Sequence, residues 1–205
     1  MTTHKPASPC FTPGTLIATA RGAVPVETIT EGDRVLTADN GLQPVAWVGN
    51  RTLNLAEIRL QEELTPILIK AGALADGRPE RDMIVSPKHR FLVTWVNAKG
   101  GKDEVLVSAD KLIDHRGVKP VNVLGVTYLH LLFENHQVIL ADGAWAESFR
   151  PDPKTWQGIG NGQRIEIEEI FAEARNGGLE KLANPARAID ERPLWKQRMR
   201  LGARR

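Results

Sequence analysis

From Cys10 to Phe149 the apolar runs are short, and each is cut off by Gly, Pro, Asn or Asp. Runs of this length suit strands, because a buried helix needs a longer apolar period. Examples are Thr15-Leu16-Ile17-Ala18-Thr19, Arg34-Val35-Leu36-Thr37, Val45-Ala46-Trp47-Val48, Pro66-Ile67-Leu68-Ile69, Met83-Ile84-Val85, Phe91-Leu92-Val93-Thr94-Trp95-Val96 and Val121-Asn122-Val123-Leu124-Gly125-Val126. They are rich in β-branched residues and separated by turn formers such as Asp39-Asn40-Gly41. The pattern predicts an all-β domain of about a dozen short strands, with room for a short helical turn in Val105–Leu112. The charged segments Glu57–Glu63 and Arg78–Arg81 lie between strand-like runs and read as exposed loops.

After Arg150-Pro151-Asp152-Pro153 the text changes. Gln163–Arg175 has good helix formers, with apolar residues three and four apart at Ile167, Ile170, Phe171 and Ala174, and Asn176-Gly177-Gly178 stops it. A second short helical stretch is expected at Leu179–Leu182. The chain therefore divides into a short leader over 1–9, a β-domain over 10–150 and a short helical C-terminal appendage over 151–205. The appendage is expected to pack through Ile170, Phe171 and Trp195.

A hydrophobic content of 41% with 25% charged residues fits a globular chain and argues against disorder or a membrane protein. The net charge is only +2, and the basic excess gathers in Arg192–Arg205, which reads as a solvated tail rather than a nucleic-acid patch. Met1-Thr2-Thr3-His4-Lys5-Pro6 lacks the apolar segment of a signal peptide. As written the chain reads as cytoplasmic, or as the C-terminal part of an exported protein. One cysteine excludes an internal disulfide and a multi-cysteine zinc site, and the scattered histidines show no ligand spacing, so neither metal nor organic cofactor is expected.

Cys10 must therefore act alone. Thiols are the strongest nucleophiles near neutral pH, and acyl transfer also needs a group to move protons. The candidates are His4, His89, His115, His130 and His136. Cys10 stands at the lip of the first apolar run, after Pro9, rather than inside it. His89 follows Val85-Ser86-Pro87-Lys88 and precedes another run, so Ser86 and His89 share a turn between two strands. His115 and His130 read as structural. Asp33 reads as a turn residue, and Asp82 as a group that pairs with a nearby cation such as Arg81.

These residues carry a family resemblance. Cys10-Phe11-Thr12-Pro13-Gly14-Thr15-Leu16-Ile17, then Val26-Glu27, then Glu31-Gly32-Asp33-Arg34-Val35-Leu36-Thr37, resemble the opening of the Hint (hedgehog/intein) superfamily, in particular its bacterial intein-like branch. Val85-Ser86-Pro87-Lys88-His89-Arg90 is similar to that superfamily's Thr-x-x-His turn, with Ser in place of Thr. Asn135–Ala146 resembles its last paired strands, which also makes His136 a candidate. The similarity spans roughly residues 9 to 150. It implies a horseshoe-like all-β disc in which Cys10 meets the Ser86–His89 turn.

The expected chemistry is attack of the Cys10 sulfur on the Pro9 carbonyl, with His89 as general acid to the departing nitrogen and Ser86 hydrogen-bonding the scissile peptide. The substrate is then the chain's own N-terminal flanking segment, and the acyl acceptor is water or a small nucleophile. Where splicing inteins end in His-Asn, this chain has Glu147-Ser148. Serine has no amide nitrogen to cyclise, so asparagine-dependent splicing is not expected. Proline at the acyl position is crowded and should slow attack. Two other readings remain open: a catalytically silent Hint-like module used for attachment or binding, and, on weaker grounds, a cysteine hydrolase acting on outside substrates.

Overall fold

A computed structural model describes residues 8–96, 100–114, 117–151, 159–171 and 184–190. As the run lengths predict, strands dominate: β1 (Leu16–Thr19), β2 (Gly22–Pro25), β3 (Arg34–Thr37), β4 (Gly41–Pro44), β5 (Trp47–Asn54), β6 (Ile67–Ile69), β7 (Met83–Val85), β8 (Arg90–Val96), β9 (Lys102–Ser108), β10 (Val118–Pro120), β11 (Gly125–Leu132), β12 (Val138–Ala141), β13 (Ala144–Glu147) and β14 (Ala188–Asp190). The helices are α1 (Leu55–Leu60) and α2 (Asn161–Ile170). Val105–Leu112 divides between the end of β9 and a single 3-10 turn at Ala109–Lys111.

One sheet runs β14-β9-β8-β13-β12-β1-β3-β4, with β2 paired to β1; the others are β10-β6-β7 and β11-β5. Alternation sets the faces: in β3, Val35 and Thr37 point inward while Arg34 faces out. The β12–β13 hairpin turns on Asp142-Gly143, with φ of 44° and 76°. Two left-handed residues are what a two-residue loop of this kind requires, and Asp-Gly supplies them. The main core gathers Ile17, Val35, Ile69, Val85, Leu131 and Ile139, all at most 2% exposed.

Glu57–Glu63 is not a loop. Asn54 accepts the Glu57 amide at 3.0 Å while the Glu57 carboxylate accepts the Asn54 amide at 2.9 Å, and this capping box starts α1. The helix is too short to display an apolar period, which is why spacing did not show it; Ile58 is its buried residue.

Of the residues expected to pack the appendage, Phe171 does and Ile170 does not. Ile167 and Ile159, both buried, join Trp47, Leu132 and Phe149 with Phe171 alongside, while Ile170 is 44% exposed. Glu166 accepts the Trp47 indole N–H at 3.0 Å. Leu179–Leu182, Trp195 and the basic Arg192–Arg205 lie outside the described residues. Further along, β14 pairs parallel to β9, a strand the sequence did not suggest.

Candidate functional site

Phe11 forms single β-bridges to Val85 at the end of β7 and to Leu129 in β11. Its amide donates to the Leu129 carbonyl at 3.0 Å and its carbonyl accepts the Leu129 amide at 2.9 Å. This junction brings the next residue on each strand together: Cys10, Ser86 and His130.

Ser86, 1% exposed, reads the peptide around Cys10 on both sides. The Cys10 amide donates to Ser86 Oγ at 2.9 Å, Ser86 Oγ donates to the Ser8 carbonyl at 2.7 Å, and the Ser86 amide donates to the Cys10 carbonyl at 3.1 Å. The turn after it is closed by the His89 amide on the Ser86 carbonyl (3.0 Å) and the Ala109 amide on the His89 carbonyl (2.8 Å). The His89 ring lies between Phe11 and Phe91, with centroids at 4.3 and 5.4 Å. Neither of its nitrogens has an aligned hydrogen-bond partner among the described residues.

The Cys10 thiol donates to the Ser8 carbonyl at 3.0 Å and stands 3.5 and 3.6 Å from the two ring nitrogens of His130. His130 Nδ1 is also 3.0 Å from the Pro9 carbonyl oxygen. A carbonyl only accepts, so Nδ1 carries the hydrogen and Nε2 holds a free lone pair. One neutral imidazole thus touches both the Cys10 thiol and the carbonyl of the peptide bond in front of it. The sequence alone reads His130 as structural; its ring lies against Cys10 Sγ and the Pro9 carbonyl oxygen. A titratable residue in the middle of the buried run Tyr128–Leu132 was the available signal.

Burial governs the charges. It pushes the Cys10 thiol up to about 12, against the lowering effects of Ser8, Ser86 and Arg51. Burial likewise lowers His130 to about 4, opposed by the Pro9 carbonyl. His89 also falls to about 4 through burial, opposed by the Glu147 carboxylate and the Cys10 backbone, with Arg90 and His130 adding to the fall. At rest the site is neutral thiol and neutral imidazoles. A cavity of about 10 Å3 beside Cys10 is lined by Ser86, His130, Arg51 and Tyr128. A groove of about 730 Å3 passes Pro87 and Lys88 but is lined by none of Cys10, Ser86 or His130.

His136 is buried, accepts the Ala186 amide at Nδ1 (2.9 Å), and places Nε2 3.5 Å from Glu147 Oε2. It makes no hydrogen bond to Cys10 or Pro9 among the described residues. Asp33 is the turn residue expected, accepting the Thr30 amide at 3.0 Å and pairing with Arg21. Asp82 accepts the Ala71 amide at 2.8 Å, which makes it a loop brace. His4 and His115 lie outside the described residues. No group of three His, Cys, Asp or Glu among the described residues could hold a metal ion.

A family model described as "Hint domain" matches residues 9–153. Among solved structures, a bacterial intein-like domain from Clostridium thermocellum is similar at 18% identity, covering 69% of this chain and 99% of that one, with a TM-score of 0.44. A DnaB intein from Synechocystis is similar at 13% identity, covering 69% and 99%, with a TM-score of 0.42. The gp41-1 intein is similar at 13% identity, covering 68% and 98%, with a TM-score of 0.41. No curated protein matches the sequence.

Proposed function

The chain belongs to the Hint domain family, and from that premise we propose that it processes itself by an N-to-S acyl shift at Pro9-Cys10. His130 Nε2 takes the thiol proton as Sγ bonds to the Pro9 carbonyl carbon. The carbonyl π pair moves onto oxygen, where the Nδ1–H of His130 already lies within hydrogen-bond reach. Collapse breaks the C–N bond, and the Cys10 nitrogen leaves as an amine once it is protonated. His89 is the donor at that nitrogen, and Ser86 holds the peptide in place through the Cys10 amide. His89 enters the step protonated and ends neutral, while His130 enters neutral and ends protonated; loss of the His130 proton to solvent and uptake of one by His89 close the balance. The product is a thioester between Pro9 and Cys10 Sγ.

A second nucleophile then attacks the thioester carbonyl and Sγ leaves. A cavity of about 10 Å3 has room for roughly one water, which supports water or an equally small acceptor. Ser148 stands where splicing would need asparagine; its Oγ accepts the Gln137 amide at 3.0 Å, and its side chain has no amide nitrogen to cyclise. Cleavage without splicing follows.

The observation that carries this reading is the position of one imidazole on both Cys10 Sγ and the Pro9 oxygen. A reporter fused upstream of Ser8 and treated with hydroxylamine tests it. Release is expected from the wild type, strongly slowed release from His130→Ala, and none from Cys10→Ala. Equal release from all three contradicts the reading. Retention of the reporter by the wild type as firmly as by Cys10→Ala favours the silent module instead.

A further inference from the structure

Glu147 is fully buried at the end of β13, directly before Ser148. Its Oε1 accepts the Arg90 amide at 2.9 Å, the N–H of the peptide that joins His89 to Arg90. Both carboxylate oxygens lie 3.2 Å from Arg90 Nη1. On its other side His136 Nε2 stands 3.5 Å away. An amide can only donate, so the Ala186 N–H on His136 Nδ1 leaves the imidazole hydrogen on Nε2, facing Glu147. Ala186 belongs to a segment outside the matched region 9–153, and it is docked by β14 on β9 and by Arg187 on Asp39 (2.6 Å) and Glu104 (2.9 Å).

We propose that Glu147 is a positioning residue for His89, held by Arg90 and His136, and that the strap 184–190 completes the arrangement. The inference rests on the acyl-shift reading, in which His89 must deliver a proton. An unpaired buried carboxylate would be protonated, but His136, Arg90 and His89 together outweigh burial and keep Glu147 below the usual range. Its negative charge in turn favours the protonated form of His89. The His89 ring packs between Phe11 and Phe91, and the groups that act on its charge are Glu147 from β13, Arg90 from β8, His130 from β11 and the Cys10 backbone. Glu147 is the anion among them, so its charge is what sustains the acid.

Glu147→Gln keeps the shape and an acceptor for the Arg90 amide while removing the charge. Hydroxylamine release of the reporter should slow by about tenfold for each unit that His89 falls, and the gap to wild type should narrow as pH drops toward 4. In the Cys10→Ala background, which cannot process, NMR titration of the His89 ring should move to lower pH on adding Glu147→Gln. Ala186→Pro in the full chain removes the donor to His136 and should shift both readings the same way by less; it carries the test if Glu147→Gln does not fold. A purely structural Glu147 would lower stability and leave the pH profile and the His89 titration where they were, which overturns the proposal. A wild type that releases no reporter overturns the acyl shift itself, whereas a processing wild type with unmoved variants overturns only the role of Glu147 and the strap.

Discussion

At the residue scale His130 and Ser86 carry the proposed chemistry. General acid–base catalysis contributes about 10²–10⁴-fold, so His130→Ala should slow reporter release by that order while leaving secondary structure intact by circular dichroism. Ser86→Ala leaves the Cys10 amide and the Ser8 carbonyl buried without their partner. The expected cost is about 1–3 kcal/mol in a urea titration, along with slower release. Cys10, Ser86 and His89 could be singled out from the sequence because each sits beside a run boundary, in a motif that reads locally. His130 could not. A histidine inside a buried strand looks like any satisfied core residue, and its partner lies 120 positions away.

At the element scale the β5–β11 pair shapes the space around that histidine. Gly49 is the register partner of His130. A Cβ on Gly49 would fall 1.9 Å from Trp47 Cη2, and the Trp47 ring lies 6.4 Å from His130 at 20°. Gly49→Ala must therefore displace the indole. Overpacking of this kind costs roughly 1–3 kcal/mol, read as a lower melting temperature, and release should slow because His130 loses its neighbour. An unchanged melting temperature contradicts this packing. In the sequence Gly49 is only the glycine after the run Val45–Val48, because the close approach depends on how Trp47 folds back across it. The same limit hid α1, whose capping box outweighs a period too short to see, and β14, whose three residues mean nothing until β9 is beside them.

At the scale of the whole molecule, burial of the site ties stability to pH. His89 and His130 ordinarily titrate near 6.5 and fall to about 4 in the fold. Between those values the unfolded chain binds more protons, so their contribution is full above 6.5 and is lost as pH falls to 4, up to about 3 kcal/mol each. Cys10 rises from 9.0 to about 12, so its contribution is full below 9 and is lost as pH climbs to 12. Stability should therefore plateau between about 6.5 and 9 and fall on both sides. Urea midpoints at pH 5, 7.5 and 10 check this, and equal midpoints contradict it. The all-β class was legible because run length and turn residues are local properties. The way the β10-β6-β7 and β11-β5 sheets meet at Phe11 was not, since it depends on two isolated bridges between distant strands.

In the proposed reaction Cys10 takes the Pro9 acyl group. Intact-mass analysis after hydroxylamine treatment measures this most directly: the wild type should yield an N-terminal fragment ending in a Pro9 hydroxamate and a chain beginning at Cys10, and Cys10→Ala neither. An unbroken wild-type chain, or the same cleavage in Cys10→Ala, contradicts it.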